Sequence, residues 1–505
     1  MKNPTLIALA GLLLASLAHA EKPNVVFIMA DDVGLGDIGH YHRQRTGKEP
    51  LAPTPNLDAL AMSGMRFSDA HSSTALCSPT RYCAMTGNLC HRSYTPWGVW
   101  SSFRKTPITD RDATLARVAD RAGLTTAFLG KWHLGGDFRK QGSDEIYRIP
   151  DKNVDPEAVD MTRLVGSGPQ SAGFDYTYTL LSGIQGPIYL AYENGEWAPY
   201  AEDSQLVFLS KENAGHPSYV SDKGPGTGDT NWNPAEVGPR LSAKAVDFIE
   251  RTAAEDKPFL LCYWTPMVHV PHVPPEEFDG LKIRGATPTH HLDMVLDLDQ
   301  QVGRIVAALK EAGEYENTLF VFSSDNGGLL DKRGQKAGHD SSGGYRGSKN
   351  KPHEGGHRVP FFASWPGRIA AGAESDEPIA VHDLVATLAG LFDLTLGEEQ
   401  AKDSLDLTKL LLGQEGFVGR DEFLLQGGSG KEVIYRKGDW KLIIQGNHRV
   451  TKWEPRELYN LAESPLEEAT ANKIDDPEHA DRVQEMFERY LEIRESGART
   501  TPLRG

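Results

Sequence analysis

Short uninterrupted apolar runs alternate along this chain with segments whose apolar residues recur every three or four positions. Asn24-Val-Val-Phe-Ile-Met-Ala30 has the pattern of a strand covered on both faces. Thr54-Pro55 is predicted to cap a helix carrying Leu57, Leu60, Ala61 and Met65. The helical pattern of Ala113–Ala122 stops at Gly123 and leads into a strand at Thr125–Leu129. Arg240–Glu250 reads as a helix and Pro258–Trp264 as a buried strand. Val295, Leu298, Val302, Ile305 and Leu309 mark one helical face before the strand Leu319–Ser323. Strands alternating with helices predict the α/β class, a large and mainly parallel sheet sandwiched by helices.

Two stretches depart from this alternation. Gly136–Asn233 is rich in Gly, Pro, Tyr and Asp and reads as long loops with short elements. From about Phe423 the runs Glu432–Tyr435 and Trp440–Ile444 flank Lys437-Gly438-Asp439, a hairpin signal, and a helix is predicted from about Pro477 to Arg494. This predicts a smaller C-terminal α+β subdomain, a short antiparallel sheet plus a helix. At the other end, Met1-Lys2, an apolar Leu6–Leu17 and Ala18-His19-Ala20 form a secretory signal pattern too short to span a bilayer comfortably. The expected division is residues 1–20 as signal peptide, 21–415 as catalytic domain and 416–505 as C-terminal subdomain. The expected location is periplasmic or secreted, with no membrane anchor after signal cleavage.

Composition narrows the function classes. The 505 residues carry a net charge of −17, from 53 basic and 70 acidic side chains. That balance argues against nucleic-acid binding, which needs basic surface to displace counterions. Four cysteines in so long a chain exclude a disulfide scaffold.

Polar clusters follow the buried strands directly. Asp31-Asp32 follows Ala30, Lys131-Trp-His133 follows Gly130, His269 and His272 follow Trp264, and Asp325-Asn326 follows Ser324. Ligands of open α/β sheets bind at the carboxyl ends of the strands, so four parallel neighbours would bring the clusters to one edge. Asp31, Asp32, Asp325 and Asn326 offer hard oxygens, a set suited to Ca²⁺ first and Mg²⁺ second rather than Zn²⁺. Lys131, His133, His269 and Lys349 offer cations and proton donors suited to an oxyanion.

The segment Cys77-Ser-Pro79-Thr-Arg81-Tyr-Cys-Ala-Met-Thr86-Gly87 places a cysteine at the start of a predicted helix. The positive end of a helix favours anions and lowers a thiol pKa, so physics alone suggests a reactive thiolate, with a buried structural cysteine as the alternative. On one continuous helix Cys83 and Cys90 would lie about 10 Å apart along the axis, too far to bridge, whereas a break at Gly87 would bring them together. Their pairing stays open; Cys262 reads as a buried apolar residue.

Cys77-x-Pro79-x-Arg81 followed by Thr86-Gly87 resembles the signature of the type I formylglycine-dependent sulfatases of the alkaline phosphatase superfamily. The other motifs resemble that family in order: Asp31-Asp32-Val-Gly34, Gly130-Lys131-Trp-His133-Leu-Gly135, Ser324-Asp325-Asn326-Gly327, Arg346-Gly347-Ser-Lys349 with Glu354-Gly-Gly356 and Arg358-Val-Pro360, and Glu457-Leu-Tyr-Asn-Leu461. The resemblance implies that a maturation enzyme oxidises Cys77 to formylglycine, whose hydrate attacks sulfur. It also implies a metal shell of Asp31, Asp32, Asp325 and Asn326 completed by residue 77 and a sulfate oxygen. Lys131 and Lys349 would neutralise the sulfate, Arg81 would position the nucleophile, and His133 would be the base of the second half-reaction. His269 or His272 would protonate the leaving alcohol, and the spacing from Pro275-Glu-Glu-Phe278 favours His269.

The segment from Gly173-Phe-Asp-Tyr176 to Tyr192-Glu-Asn194 resembles sulfatases acting on glycans, including some that act on 6-sulfated galactosamine. The expected substrate is therefore a sulfated saccharide, with Tyr94, Trp97, Trp100, Trp197 and Trp232 as aromatic faces for sugar rings or as packing of the loops. The alternatives are a phosphodiesterase or phosphonate monoester hydrolase of the same superfamily, a non-catalytic metal- and glycan-binding protein, and a Cys77 thiolate enzyme.

Overall fold

The computed structural model describes residues 22–148 and 157–501. The signal pattern of residues 1–20 lies outside the described residues. Ten strands form the central sheet. Their spatial order is Ala373–Ser375, Met65–Phe67, Phe362–Ser364, Thr318–Ser324, Asn24–Ala30, Phe259–Trp264, Thr125–Lys131, Tyr176–Leu180, Ala191–Glu193 and Glu196–Ala198. The five strands from Thr318–Ser324 to Tyr176–Leu180 are mutually parallel, and the strands flanking them run antiparallel.

Strand periodicity explains the two-sided core. Val25, Phe27 and Met29 point into one apolar cluster, while Val26, Ile28 and Ala30 point into a second on the other face. The helices Cys77–Thr86, Leu115–Arg121 and Leu384–Leu391 cover the first face. Pro55–Met62, Val237–Ala254 and His290–Glu311 cover the second. A strand buried on both sides has no solvent face to make polar, which is why its sequence is an unbroken apolar run.

The short elements expected within Gly136–Asn233 include Tyr176–Leu180, Ala191–Glu193 and Glu196–Ala198, which extend the central sheet by three strands. The structure corrects the sequence reading in two places. Met65 leaves the helical face and begins a strand, because the helix ends at Met62. Thr54 makes no side-chain cap; its hydroxyl donates to Asp58 Oδ1 at 2.9 Å and accepts the Gly39 N–H at 2.8 Å.

The strands Glu422–Gln426, Glu432–Lys437, Trp440–Gly446 and Trp453–Asn460 form a separate antiparallel sheet, against which the helix Ala480–Ser496 packs. This sheet reaches back to the main body. The Gln426 N–H donates to the Ser73 carbonyl and the Ala75 N–H to the Gln426 carbonyl, two residues before Cys77. The helix of Cys77 ends at Gly87 in the left-handed conformation (φ 68°). That break brings the sulfurs of Cys83 and Cys90 to 3.6 Å, with both thiols free. Among the described residues no helix is long and apolar enough to cross a membrane.

Candidate active site

The four predicted clusters converge because their strands are adjacent and parallel. Thr318–Ser324, Asn24–Ala30, Phe259–Trp264 and Thr125–Lys131 are successive neighbours, so Asp325, Asp31, His269 and Lys131 leave the same edge of the sheet. Backbone bonds lock the edge: the Asp325 N–H donates to the Ala30 carbonyl, the Asp31 N–H to Met267 and the Val268 N–H to Asp31. Gly130 allows the close approach of two strands there, since a Cβ would lie 2.1 Å from the Trp264 carbonyl oxygen. Asp32 and His133 both adopt left-handed backbone (φ 64° and 56°). That conformation costs roughly 1–3 kcal/mol in a non-glycine residue and recurs where a site dictates the backbone.

Asp31, Asp32, Asp325 and Asn326 are completely buried together. Asn326 Nδ2 donates to Asp32 Oδ1 at 2.9 Å, which turns its Oδ1 free; Asn326 Oδ1 and Asp31 Oδ1 have no hydrogen-bond partner among the described residues. One ligand atom from each of Asp31, Cys77 and Asp325 lies within 4.8 Å of the others. Burial and the neighbouring Asp31 charge push the Asp325 carboxyl up to about 7. Three carboxylates crowded in a dry site, with the bare oxygens of Asp31 and Asn326 among them, are what a hard cation relieves, so the donor set fits Ca²⁺ or Mg²⁺.

Cationic groups surround this cluster. Lys131 Nζ donates to Asp31 Oδ2 at 2.6 Å, and Lys349 Nζ donates to Asp32 Oδ2 at 2.8 Å and lies 2.6 Å from its Oδ1. Burial raises the Asp31 and Asp32 carboxyls, but the surrounding groups together, Lys131 foremost at Asp31 and Lys349 foremost at Asp32, outweigh it and hold both below the usual range. Arg81 is fully buried; its Nε and Nη2 donate to Asp325 Oδ2 at 3.0 and 2.6 Å and its Nη1 to the Lys131 carbonyl at 2.7 Å. It ties the helix of Cys77 to both neighbouring strands.

His269 Nε2 lies 3.8 Å from Asp32 Oδ2, and its Nδ1 faces the Val270 carbonyl at 2.7 Å. Burial, Lys131 and Lys349 depress its pKa to about 4. Burial with Lys131 and Arg81 holds His133 well below its ordinary value, and its Nδ1 has no partner among the described residues. A neutral imidazole with a free nitrogen is equipped to accept a proton. The His272 ring packs on His291, with centroids 5.1 Å apart, and burial with His291 depresses its pKa to about 3.

At Cys77 the environment runs against the thiolate that a helix terminus alone suggests: burial pushes the thiol pKa up, and Lys131 and Lys349 offset it only in part. The aromatic candidates also divide. Trp100 and Trp232 are core residues and Trp197 is partly buried, whereas Trp97 and Tyr94 are exposed. Gln185 is a site residue that the sequence reading missed. Its Oε1 accepts Lys131 Nζ at 3.1 Å from the loop after Tyr176–Leu180. No sequence signal marks it, because only the pairing of that strand with Thr125–Lys131 brings it there.

Comparison with known proteins agrees with this geometry. A family model described as Sulfatase matches residues 23–394. An N-acetylgalactosamine-6-O-sulfatase of Bacteroides thetaiotaomicron is 28% identical, with 93% of each chain covered. Human arylsulfatase A is 32% identical over 90% of this chain and 84% of its own. A solved Bacteroides thetaiotaomicron structure, titled for the metabolism of multiple glycosaminoglycans, superposes with a TM-score of 0.77 at 25% identity, covering 94% of this chain and all of the other. With that match over most of its length and the motifs gathered at one sheet edge, the chain belongs to the sulfatase family, enzymes that hydrolyse sulfuric esters.

Proposed function

We propose that this protein is an exported carbohydrate sulfatase that uses formylglycine at position 77 and a bound Ca²⁺, with residues 21–415 as the catalytic unit and 416–505 as its supporting subdomain. The observation that carries the reading is the pair Asp31 Oδ1 and Asn326 Oδ1, buried oxygens without partners, in a cluster that holds Cys77 between two lysines. Asp31, Asp32, Asp325 and Asn326 would hold the cation, which supplies Lewis-acid polarisation when bound. Formylglycine supplies the oxygen nucleophile that a thiol cannot.

The side chains of this protein then have separable tasks. Lys131 and Lys349 neutralise the sulfate oxygens, a preorganised electrostatic contribution in a dry site. Arg81 fixes the nucleophile's helix against Asp325. His269, beside Asp32, is neutral in the free site; a bound sulfate anion offsets Lys131 and Lys349, so that His269 takes up a proton and gives it to the leaving alcohol. That proton matters because a sugar alkoxide is a poor leaving group. His133 takes the proton that regenerates residue 77. The names of the relatives support a 6-sulfated N-acetylgalactosamine unit as the substrate, and exposed Trp97 supplies an aromatic face for a sugar ring.

The test is sulfate release from defined sulfated mono- and oligosaccharides, with phosphate diesters in parallel and peptide mass spectrometry across residue 77. Release from 6-sulfated N-acetylgalactosamine, together with an aldehyde at 77, is expected. Faster turnover of phosphate diesters, or full activity in protein with only unmodified Cys77, would overturn the reading.

A further inference from the structure

We propose that Asp37, His291 and His339 form a second metal site, for a transition ion of the Zn²⁺ class, beside the oxygen-rich one. One ligand-capable atom of each lies within 4.8 Å of the other two, and all three residues are buried. They come from three separate parts of the chain: the turn after Asp31-Asp32, the first turn of the helix His290–Glu311, and the segment leading to Lys349.

The observation that demands a ligand is His291. Its side chain is 1% exposed, yet neither ring nitrogen has a hydrogen-bond partner among the described residues. A buried polar atom gives up its water without gaining a partner, so this arrangement is unfavourable without a ligand. His339 Nδ1 is likewise without a partner among the described residues. Asp37 is oriented by its surroundings: Oδ2 accepts the Gly34 N–H at 2.8 Å, while Oδ1 faces His339 Nε2 at 2.7 Å and accepts from Ser341 Oγ at 2.9 Å.

Donor chemistry selects the ion. Two imidazoles and one carboxylate suit Zn²⁺ and its neighbours, whereas Ca²⁺ and Mg²⁺ take oxygen ligands. A tetrahedral Zn²⁺ with bonds of about 2.0–2.1 Å brings its ligand atoms to about 3.4 Å of one another. Side-chain rotation of His291 and His339 closes the remaining gap, and water takes the fourth position. Ser341 is placed to hold the carboxylate, as outer partners of metal ligands commonly do. The bound ion would cross-link the loop of Asp31 and Asp32 to the segment of Lys349, bracing the active site without touching substrate.

This proposal is independent of the sulfatase reading and is tested on the whole protein by elemental analysis and by titration with Zn²⁺ and Co²⁺. About one Zn²⁺ per chain is expected in addition to Ca²⁺. Co²⁺-loaded protein should show the visible absorption of an imidazole-ligated ion. His291→Gln, which keeps a polar side chain in the space, should lose the Zn²⁺ and weaken Zn²⁺ affinity at least tenfold while leaving the Ca²⁺ content unchanged. His339→Asn serves as a second variant if the first does not fold. Wild-type protein that binds Zn²⁺ and Co²⁺ no more tightly than these variants would overturn the proposal, whatever its activity on sulfate esters.

Discussion

Lys441 of the C-terminal sheet and Glu354, five residues beyond Lys349, form a completely buried ion pair, with Nζ 2.9 Å from Oε1. Lys441 also lies 2.7 Å from Glu467 Oε1, and Glu467 Oε2 accepts the Glu354 N–H at 2.6 Å. Burial alone would push the Glu354 carboxyl up, but Lys441 and Arg358 hold it well below its ordinary value. The C-terminal sheet thereby anchors the segment that presents an active-site lysine. Lys441→Met should destabilise the protein by about 3–5 kcal/mol in urea unfolding, because buried Glu467 loses its cation and Glu354 is left with Arg358 alone. Adding Glu354→Gln should recover part of that loss. Equal stability of Lys441→Met and wild type would show that the pair carries no anchoring role.

His269 and His272 should separate kinetically. A group that protonates the leaving oxygen matters most when the leaving alcohol is weakly acidic. His269→Ala should therefore lose about 100-fold or more on a sulfated sugar and much less on an activated aryl sulfate. His272→Ala should show a smaller loss with little dependence on the leaving group. The opposite pattern would exchange their roles.

Removal of divalent ions with a chelator should abolish turnover and lower the melting temperature. The crowded carboxylates then lose the charge that compensates them. Ca²⁺ added back alone should restore turnover, and at 100 times its Kd should return about 2.7 kcal/mol of stability. Asp325→Asn should blunt both responses. Full turnover in metal-stripped protein would exclude a catalytic cation.

Asp297 gives a pH dependence of known sign. Burial raises its carboxyl to about 7, from 3.8. Between those values the folded chain keeps a proton that the unfolded chain has released, so stability falls as pH rises from about 4 to about 7 and is flat above. The shift sets an upper bound of about 4 kcal/mol. Asp297→Asn should stabilise the protein at pH 8 and be neutral near pH 4. Calorimetric melting temperatures across that range check it, and a gain confined to acid pH would reverse the assignment.

The carboxyl-end clusters were legible because each sits next to a strand that announces itself. An apolar run such as Asn24–Ala30 or Phe259–Trp264 has the length and pattern of a strand buried on both faces, and the residues that follow it emerge at the sheet edge. Tyr176–Leu180 is a central-sheet strand of the same kind, but Thr177 and Thr179 interrupt its apolar pattern. Tertiary pairing with Thr125–Lys131 overrode that weak local signal, and Gln185 went unrecognised with it.

The sequence by itself determined which residue types gather at the carboxyl edge of the sheet, because motif and strand lie side by side in the chain. Only the tertiary structure decided what each group does there. Cys77 stands at a helix terminus that favours a thiolate, but packing removes its water and raises its pKa. His269 and His272 share the same local pattern, yet the chain turns one toward Asp32 and the other toward His291. Asp37, His291 and His339 meet across some 300 residues, a closeness that no local pattern encodes. Desolvation and Coulomb interaction depend on what surrounds a group from every side, and that environment exists only once distant segments have packed.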